Sequence, residues 1–214
     1  MLSPEVRAEI KRKSIHAGIT GTIAPLIVLG IPNALLARAL GVGLYSVFLT
    51  LFVLLEFSMK TGKNWDIPFA SRAYQTMANG YELENKTMQG GVFICLSGLL
   101  LVSFLELHAA LVGILVLSYA DSAASIFGKA YPKHSIGYNT RKHWEGTIAF
   151  ALTGFAVTAF ALTFAPIAFS KLIAASLLIA STSAIFESLP MKYTYDNLTI
   201  PFSAALIAQL FLIL

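Results

Sequence analysis

The stretch AALVGILVLSYADSAASIFG, residues 109–128, decides the fold. Twelve uncharged residues precede Asp121 in it, and seven more follow before Lys129. Twenty helical residues rise about 30 Å, the thickness of a bilayer's hydrocarbon core. A carboxylate inside such a run is costly in lipid, so it normally faces a partner or a wet cavity. The segment therefore predicts a transmembrane helix that brings an acid to a site.

Composition extends that reading to the whole chain. Of 214 residues, 57% are hydrophobic and 12% charged, whereas soluble domains carry about 25% charged residues. A water-soluble monomer and a disordered chain are both excluded. The single cysteine, Cys95, excludes a disulfide framework and a cysteine-based zinc site. The net charge of +4 could suggest nucleic acid, but the apolar content points to a membrane instead, and no nucleic-acid partner is expected.

Working outward, further apolar runs fall at 15–31, 34–57, 90–107, 146–166, 168–186 and 197–214. With 109–128 they predict an all-α polytopic membrane bundle of about seven transmembrane helices, forming one integral-membrane domain over 1–214. Pro25 lies inside the first run, where a span tolerates it. Residues 4–14, with Arg7, Lys11, Arg12 and Lys13, are expected as a basic interfacial helix leading into that span. The polar segment 58–89 is long enough to cover a site as a lid or surface helix.

Basic residues favour cytoplasmic loops. Threading seven spans from a cytoplasmic N-terminus puts thirteen of the fifteen Lys and Arg residues inside, Lys192 among them, and only Arg38 and Lys171 outside. The expected arrangement is multi-pass, with the site facing the cytoplasm.

The densest chemical constellation starts in the quoted stretch. Ser118, Asp121, Ser125 and Gly128 recur every three or four residues and are predicted to share a helix face. Lys129, Lys133, Arg141 and Lys142 follow in the loop 129–145, and Glu145 and Gly146 open the next span. Carboxylates, several cations and small residues suit a Mg²⁺–polyphosphate: the metal takes carboxylate oxygens and the cations take phosphate charge. Asp121 and Glu145 are the candidate metal ligands. Ordinary topology remains open beside this, because cytoplasmic loops are basic in any case and a glutamate commonly caps a helix start.

A second set is Glu187-Ser-Leu-Pro190 with Asp196-Asn197-Leu-Thr199-Ile-Pro201, a structured turn or a plain inter-span turn with a capping residue. A third is Arg12-Lys13-Ser-Ile-His16, in which Arg12 and His16 lie one turn apart, as site wall or as interfacial anchor. No Walker A or dinucleotide fingerprint is present, so a nucleotide would need another scaffold.

These residues resemble the CTP-dependent polytopic lipid kinases, namely dolichol kinase, phytol kinase and the CTP-dependent diacylglycerol kinase, which are related to phosphatidate cytidylyltransferase. The family's Asp-x-x-Ala-Ser-x-x-Gly stretch is matched by Asp121, Ala124, Ser125 and Gly128, with Lys129 after it. Its Lys-Ser-x-Glu-Gly is matched by Lys142, Glu145 and Gly146, and its Arg-Lys-x-x-His by Arg12, Lys13 and His16. Lys86 with Gly90-Gly91 resembles its Lys followed by Gly at a span start. Glu187, Pro190, Asp196, Asn197, Leu198, Ile200 and Pro201 match its C-terminal segment. Two departures stand out: Pro132 replaces a frequent glycine, and His143 stands where Ser or Thr is usual.

The resemblance implies a Mg²⁺-dependent enzyme that uses CTP at the cytoplasmic face. A kinase would phosphorylate a membrane lipid alcohol (dolichol or another polyprenol, a phytol-like isoprenoid, or diacylglycerol) and release CDP. A cytidylyltransferase would instead join CMP to a lipid phosphate. The Glu187 and Asp196-Asn197 segment resembles the kinase branch, and the Gly- and His-rich signature of the other branch is absent. On this reading Asp121 binds Mg²⁺ with Glu145, while Lys129, Lys133, Arg141 and Lys142 hold phosphates. Asp196 or Glu187 is the base, Asn197 positions a partner, and Arg12 and His16 form a wall. A transporter is the alternative outside enzymology, but no internal repeat is visible and the charges gather at one set of span ends.

Overall fold

The computed structural model of the protein describes residues 3–63, 65–78, 80–191 and 195–214. Lys192, expected on the cytoplasmic side, lies outside them. The fold is an all-α polytopic bundle with one small hairpin. Its helices are α1 (Pro4–Gly30), α2 (Ala34–Lys60), α3 (Ala70–Met77), α4 (Gly80–Glu84), α5 (Gln89–Phe104), α6 (Leu107–Leu115), α7 (Asp121–Ala130), α8 (Trp144–Leu162), α9 (Phe169–Ser188) and α10 (Asp196–Ile213). A π-helical turn, Val116–Ala120, joins α6 to α7 as one rod.

Among the described residues, five helical stretches are long and apolar enough to span a bilayer: α2, the rod Leu107–Ala130, α8, α9 and α10. The helix α5 is apolar but shorter. The expected surface helix 4–14 and the first expected span are one unbroken helix, α1, started by Ser3, whose hydroxyl accepts from Val6 N at 3.3 Å, and by Pro4 at its first turn. Pro25 does not break it.

The rod Leu107–Ala130 is the centre of the molecule, with 67% of its apolar window buried inside the protein against 17–39% for the other four. It packs against α1, α8 and α10, and α8, α9 and α10 close around it. The residues Ala109–Val112 are wholly buried. The close approach of α6 to α10 needs Gly113, where a Cβ would meet Pro201 O at 2.5 Å. The pair α2–α5 lies on the flank of this cluster, and α3 caps it with a second, smaller core around Phe52, Leu55, Ala70, Met88 and Cys95. The segment 58–89 thus contributes α3 and α4. Leu35, Phe104, Leu152 and Leu206 are among many large apolar side chains left facing outward, as lipid contact requires.

The basic loop contains a two-stranded antiparallel hairpin, β1 (Ser135–Ile136) with β2 (Asn139–His143), which the all-α expectation did not include. It is pinned to the end of α9: Asn139 donates to Ser188 O at 3.0 Å and Leu189 O at 3.1 Å, and the Tyr138 and Ser188 hydroxyls bond at 2.7 Å.

Candidate active site

One cavity of about 520 Å³ opens where α1, α7, the hairpin and the start of α10 meet α2, α3 and α5. Its two halves differ in chemistry. The lining divides by element into a charged half, with groups from α7, β2, α9 and α10, and an apolar half, with residues from α2, α5 and positions 69–77. The helix α1 packs on α7 and also on α2 and α3, and it adds Arg12, Lys13 and His16 and then Thr20 and Ile23 to the lining.

The charged half is held by ion pairs between segments far apart in sequence. Lys13 on α1 donates to Asp121 Oδ2, tying α1 to the start of α7. Lys142 on β2 donates to Glu187 Oε1 at 2.8 Å and Asp196 Oδ2 at 3.1 Å, and also to the Glu187 carbonyl. Burial pushes the Lys142 ammonium pKa down, but the two carboxylates outweigh it and hold it above its usual value. Thr147 donates to the other Glu187 oxygen at 3.3 Å, whereas Asp196 Oδ1 is buried with no partner among the described residues. Buried Glu9 receives Arg12 at 2.6 Å and Lys129 at 2.9 Å; burial raises its pKa, and these cations more than reverse that, leaving it below the usual carboxylate value. Arg141 lines the cavity and forms no ion pair among the described residues, so its charge is available to an anion.

Backbone packing makes room for these groups. The helices α7 and α8 cross at Gly128 and Gly146, where a Cβ on Gly146 would come within 2.8 Å of Ala124 O. Ser125 and Gly128 line the cavity with Asp121, and Ser118 lies buried one turn deeper, where its hydroxyl bonds Thr20 of α1 at 2.7 Å, the same helix that Asp121 meets through Lys13. The π turn lies between Leu115 and Asp121, and such turns are frequent at functional sites. Asn197 links helix ends: its side chain donates to Gly90 O at 3.3 Å, and its carbonyl accepts from Ser97 at 2.7 Å. Glu82 accepts from Gly90 N at 2.7 Å, and a Cβ there would meet that carboxylate.

The apolar half is lined by Leu44, Tyr45, Phe48, Phe52, Phe69, Met77 and Ile94. Gly98 leaves space for the Tyr45 ring. Phe69 stands at φ 67, which a bulky side chain rarely adopts, and packs on Phe48 at 4.9 Å between ring centroids.

The cavity gathers Asp121, Ser125, Gly128, Lys129, Arg141, Lys142, Gly146, Glu187, Asp196, Asn197, Arg12 and His16, together with the two departures Pro132 and His143. It does not gather Glu145, Lys133 or Lys86. The carboxylate of Glu145 bonds His134 at 2.7 Å away from the cavity lining. Lys133 is exposed at the base of the hairpin, and Lys86 follows α4 at φ 46 beside another hollow. Among the described residues no group of three or more His, Cys, Asp or Glu could hold a metal by itself. Mg²⁺ usually takes one or two carboxylates plus substrate phosphates, and the Asp121 carboxylate on the cavity wall fits that donor set.

Sequence reasoning passed over Lys13 as a partner of Asp121, and Glu9 and Glu82 altogether. The four-residue step from Glu9 to Lys13 on one helix face was the available signal for the first two. Glu82 carried none.

A phytol kinase from Synechocystis sp. is 32% identical over 124 residues, which make up 56% of this chain and 53% of that protein. The chain therefore spans about half the length of this curated relative. No protein-family model matches the chain, and no solved structure matches it. The resemblance to the CTP-dependent polytopic lipid kinases thus rests on an alignment with a phytol kinase as well as on the motifs now gathered around one cavity.

Proposed function

We propose that the protein is a Mg²⁺- and CTP-dependent kinase that phosphorylates the hydroxyl of a membrane isoprenoid alcohol at the cytoplasmic face and releases CDP. The observation that carries this reading is the joining of a cationic, carboxylate-bearing chamber to an apolar one within a single cavity. A polyphosphate needs the first, and an alcohol on an apolar tail needs both.

Asp121 would hold the metal, with Glu145 as the motif's own second ligand. Bound Mg²⁺ would neutralise charge on the phosphates. Lys129, Arg141 and Lys142 would hold the phosphates, with Lys133 at the outer edge. Gly128 and Gly146 keep the wall thin for close approach. The acceptor oxygen forms a bond to the terminal phosphorus, and the bond from that phosphorus to the bridging oxygen breaks. CDP leaves with the electron pair, and the hydroxyl proton passes to a carboxylate. Asp196 suits that step better than Glu187, because one of its oxygens is unpartnered while both Glu187 oxygens are bonded.

The test uses purified protein, Mg²⁺ and phytol, with CTP labelled at the terminal or the innermost phosphate in separate reactions. Label should enter lipid from the terminal position only. Label from the innermost position, with a lipid phosphate as acceptor, would establish cytidylyl transfer instead. Label from neither, with phytol, polyprenol and diacylglycerol each supplied, would defeat the reading and favour a transporter.

A further inference from the structure

His16 is a buried polar side chain, 6% exposed, whose Nδ1 has no hydrogen-bond partner among the described residues. Leaving such a group unpaired is unfavourable, and native proteins keep few of them without a use. Core packing does not explain it, because the ring lines the cavity. Its place on α1 is specific. One turn earlier Arg12 and Lys13 face the charged half, and one turn later Thr20 and Ile23 lead into the apolar half. The hydroxyl of Thr20 is already engaged, bonding His16 O and the Ser118 hydroxyl, each at 2.7 Å. Electrostatically His16 interacts with Lys13, Asp121 and Arg12, so it feels the field of Asp121, the group assigned above to the metal.

An alcohol whose tail fills the apolar half and whose oxygen must reach a phosphorus in the charged half has to place that oxygen at the junction. Neutral imidazole offers one donor and one acceptor, which matches a hydroxyl, itself donor and acceptor; a phosphate oxygen only accepts. Resting on the kinase reading, we propose that His16 receives the hydroxyl of the lipid alcohol and positions it at the junction between the two halves of the cavity.

His16→Ala and the more conservative His16→Asn test this, with Thr20→Ser as a neighbouring control that keeps its hydroxyl. In His16→Ala, kcat/KM for phytol should fall about tenfold or more, the loss of one substrate hydrogen bond of roughly 1.4 kcal/mol. The KM for CTP should stay within about twofold. His16→Asn, which keeps a donor and an acceptor, should recover part of the loss. A second readout needs no turnover: phytol should raise the thermal midpoint of the purified parent protein and raise it less in His16→Ala. Parent-like phytol kinetics and parent-like thermal shift in both variants would overturn the proposal. So would a rise in the KM for CTP with no change for phytol, which would move His16 to the nucleotide. If the parent protein transfers no phosphate to any alcohol, the kinase reading fails, and the thermal shift still decides whether His16 meets a hydroxyl.

Discussion

The two halves of the cavity are built by opposite strategies. In the charged half nearly every position is dictated: Lys13 meets Asp121, Lys142 spans Glu187 and Asp196, and Glu9 gathers Arg12 and Lys129. These pairs draw together α1, α7, the hairpin, α9 and α10 through direction and charge. The apolar half, from α2, α3 and α5, is held by packing of Phe48, Phe52, Phe69 and Met88, which has little direction. Charge pairs are costly to misplace in a low dielectric, while apolar side chains of similar volume exchange at small cost. The first half therefore constrains reaction chemistry, and the second constrains which tail is accepted. That division is open to attack from either side.

The largest effect is expected in the charged half. Asp121→Asn should lower turnover roughly 10²–10³-fold, the scale seen when a preorganised group serving transition-state charge is removed. The amide keeps the shape and an acceptor for Lys13, so the variant should still insert and run as a single species by size exclusion. Near-parent activity would remove Asp121 from metal binding. Glu145→Gln in the same assay sharpens the assignment, since Glu145 bonds His134 off the cavity. A loss well short of that for Asp121→Asn is expected, and an equal loss would restore the motif's pairing of the two.

An intermediate effect is expected in the apolar half. Ile94→Trp narrows it without touching a charge. The KM for a long isoprenoid alcohol should rise about tenfold, the scale of a lost fit in an apolar pocket, while the KM for CTP stays put. A matching rise for CTP would mean that the two halves do not divide the labour as argued.

The same contrast explains what could be read in advance. Helices near all seven apolar runs were legible, because a membrane span writes itself as an unbroken apolar stretch. Asp121 was legible because a carboxylate in such a stretch is conspicuous. Its bond to Lys13, 108 positions away, was not, since periodicity reports one helix at a time and not which helix lies opposite. The π turn between α6 and α7 was not legible either, since it leaves no mark in residue spacing. Glu145 was read from a motif, and its side chain turns to His134 through hairpin geometry that no local pattern announces. The apolar half carried no readable code: Leu44, Phe48 and Ile94 look like any lipid-facing residues until the cavity shows otherwise.

The smallest effect separates structural from catalytic charge. Glu9 is 5% exposed and is not a reacting group, yet it holds Arg12 and Lys129 at the rim of the charged half. Its folded pKa lies below the ordinary value of 4.5, because the two cations outweigh the cost of burial. A carboxylate depressed by folding stabilises the protein fully above its unfolded pKa. That contribution fades as pH drops from 4.5 through the lower folded value. Because Lys129 is half exposed and screened by solvent, the contribution should be at most about 1 kcal/mol. In detergent, Glu9→Gln should therefore melt slightly below the parent protein near neutral pH. The gap should close as the pH falls below 4.5, and added salt should narrow it at neutral pH. A gap that persists in acid would mean that Glu9 acts through packing, and the charged half would then owe its order at this rim to the same undirected contacts as its apolar neighbour.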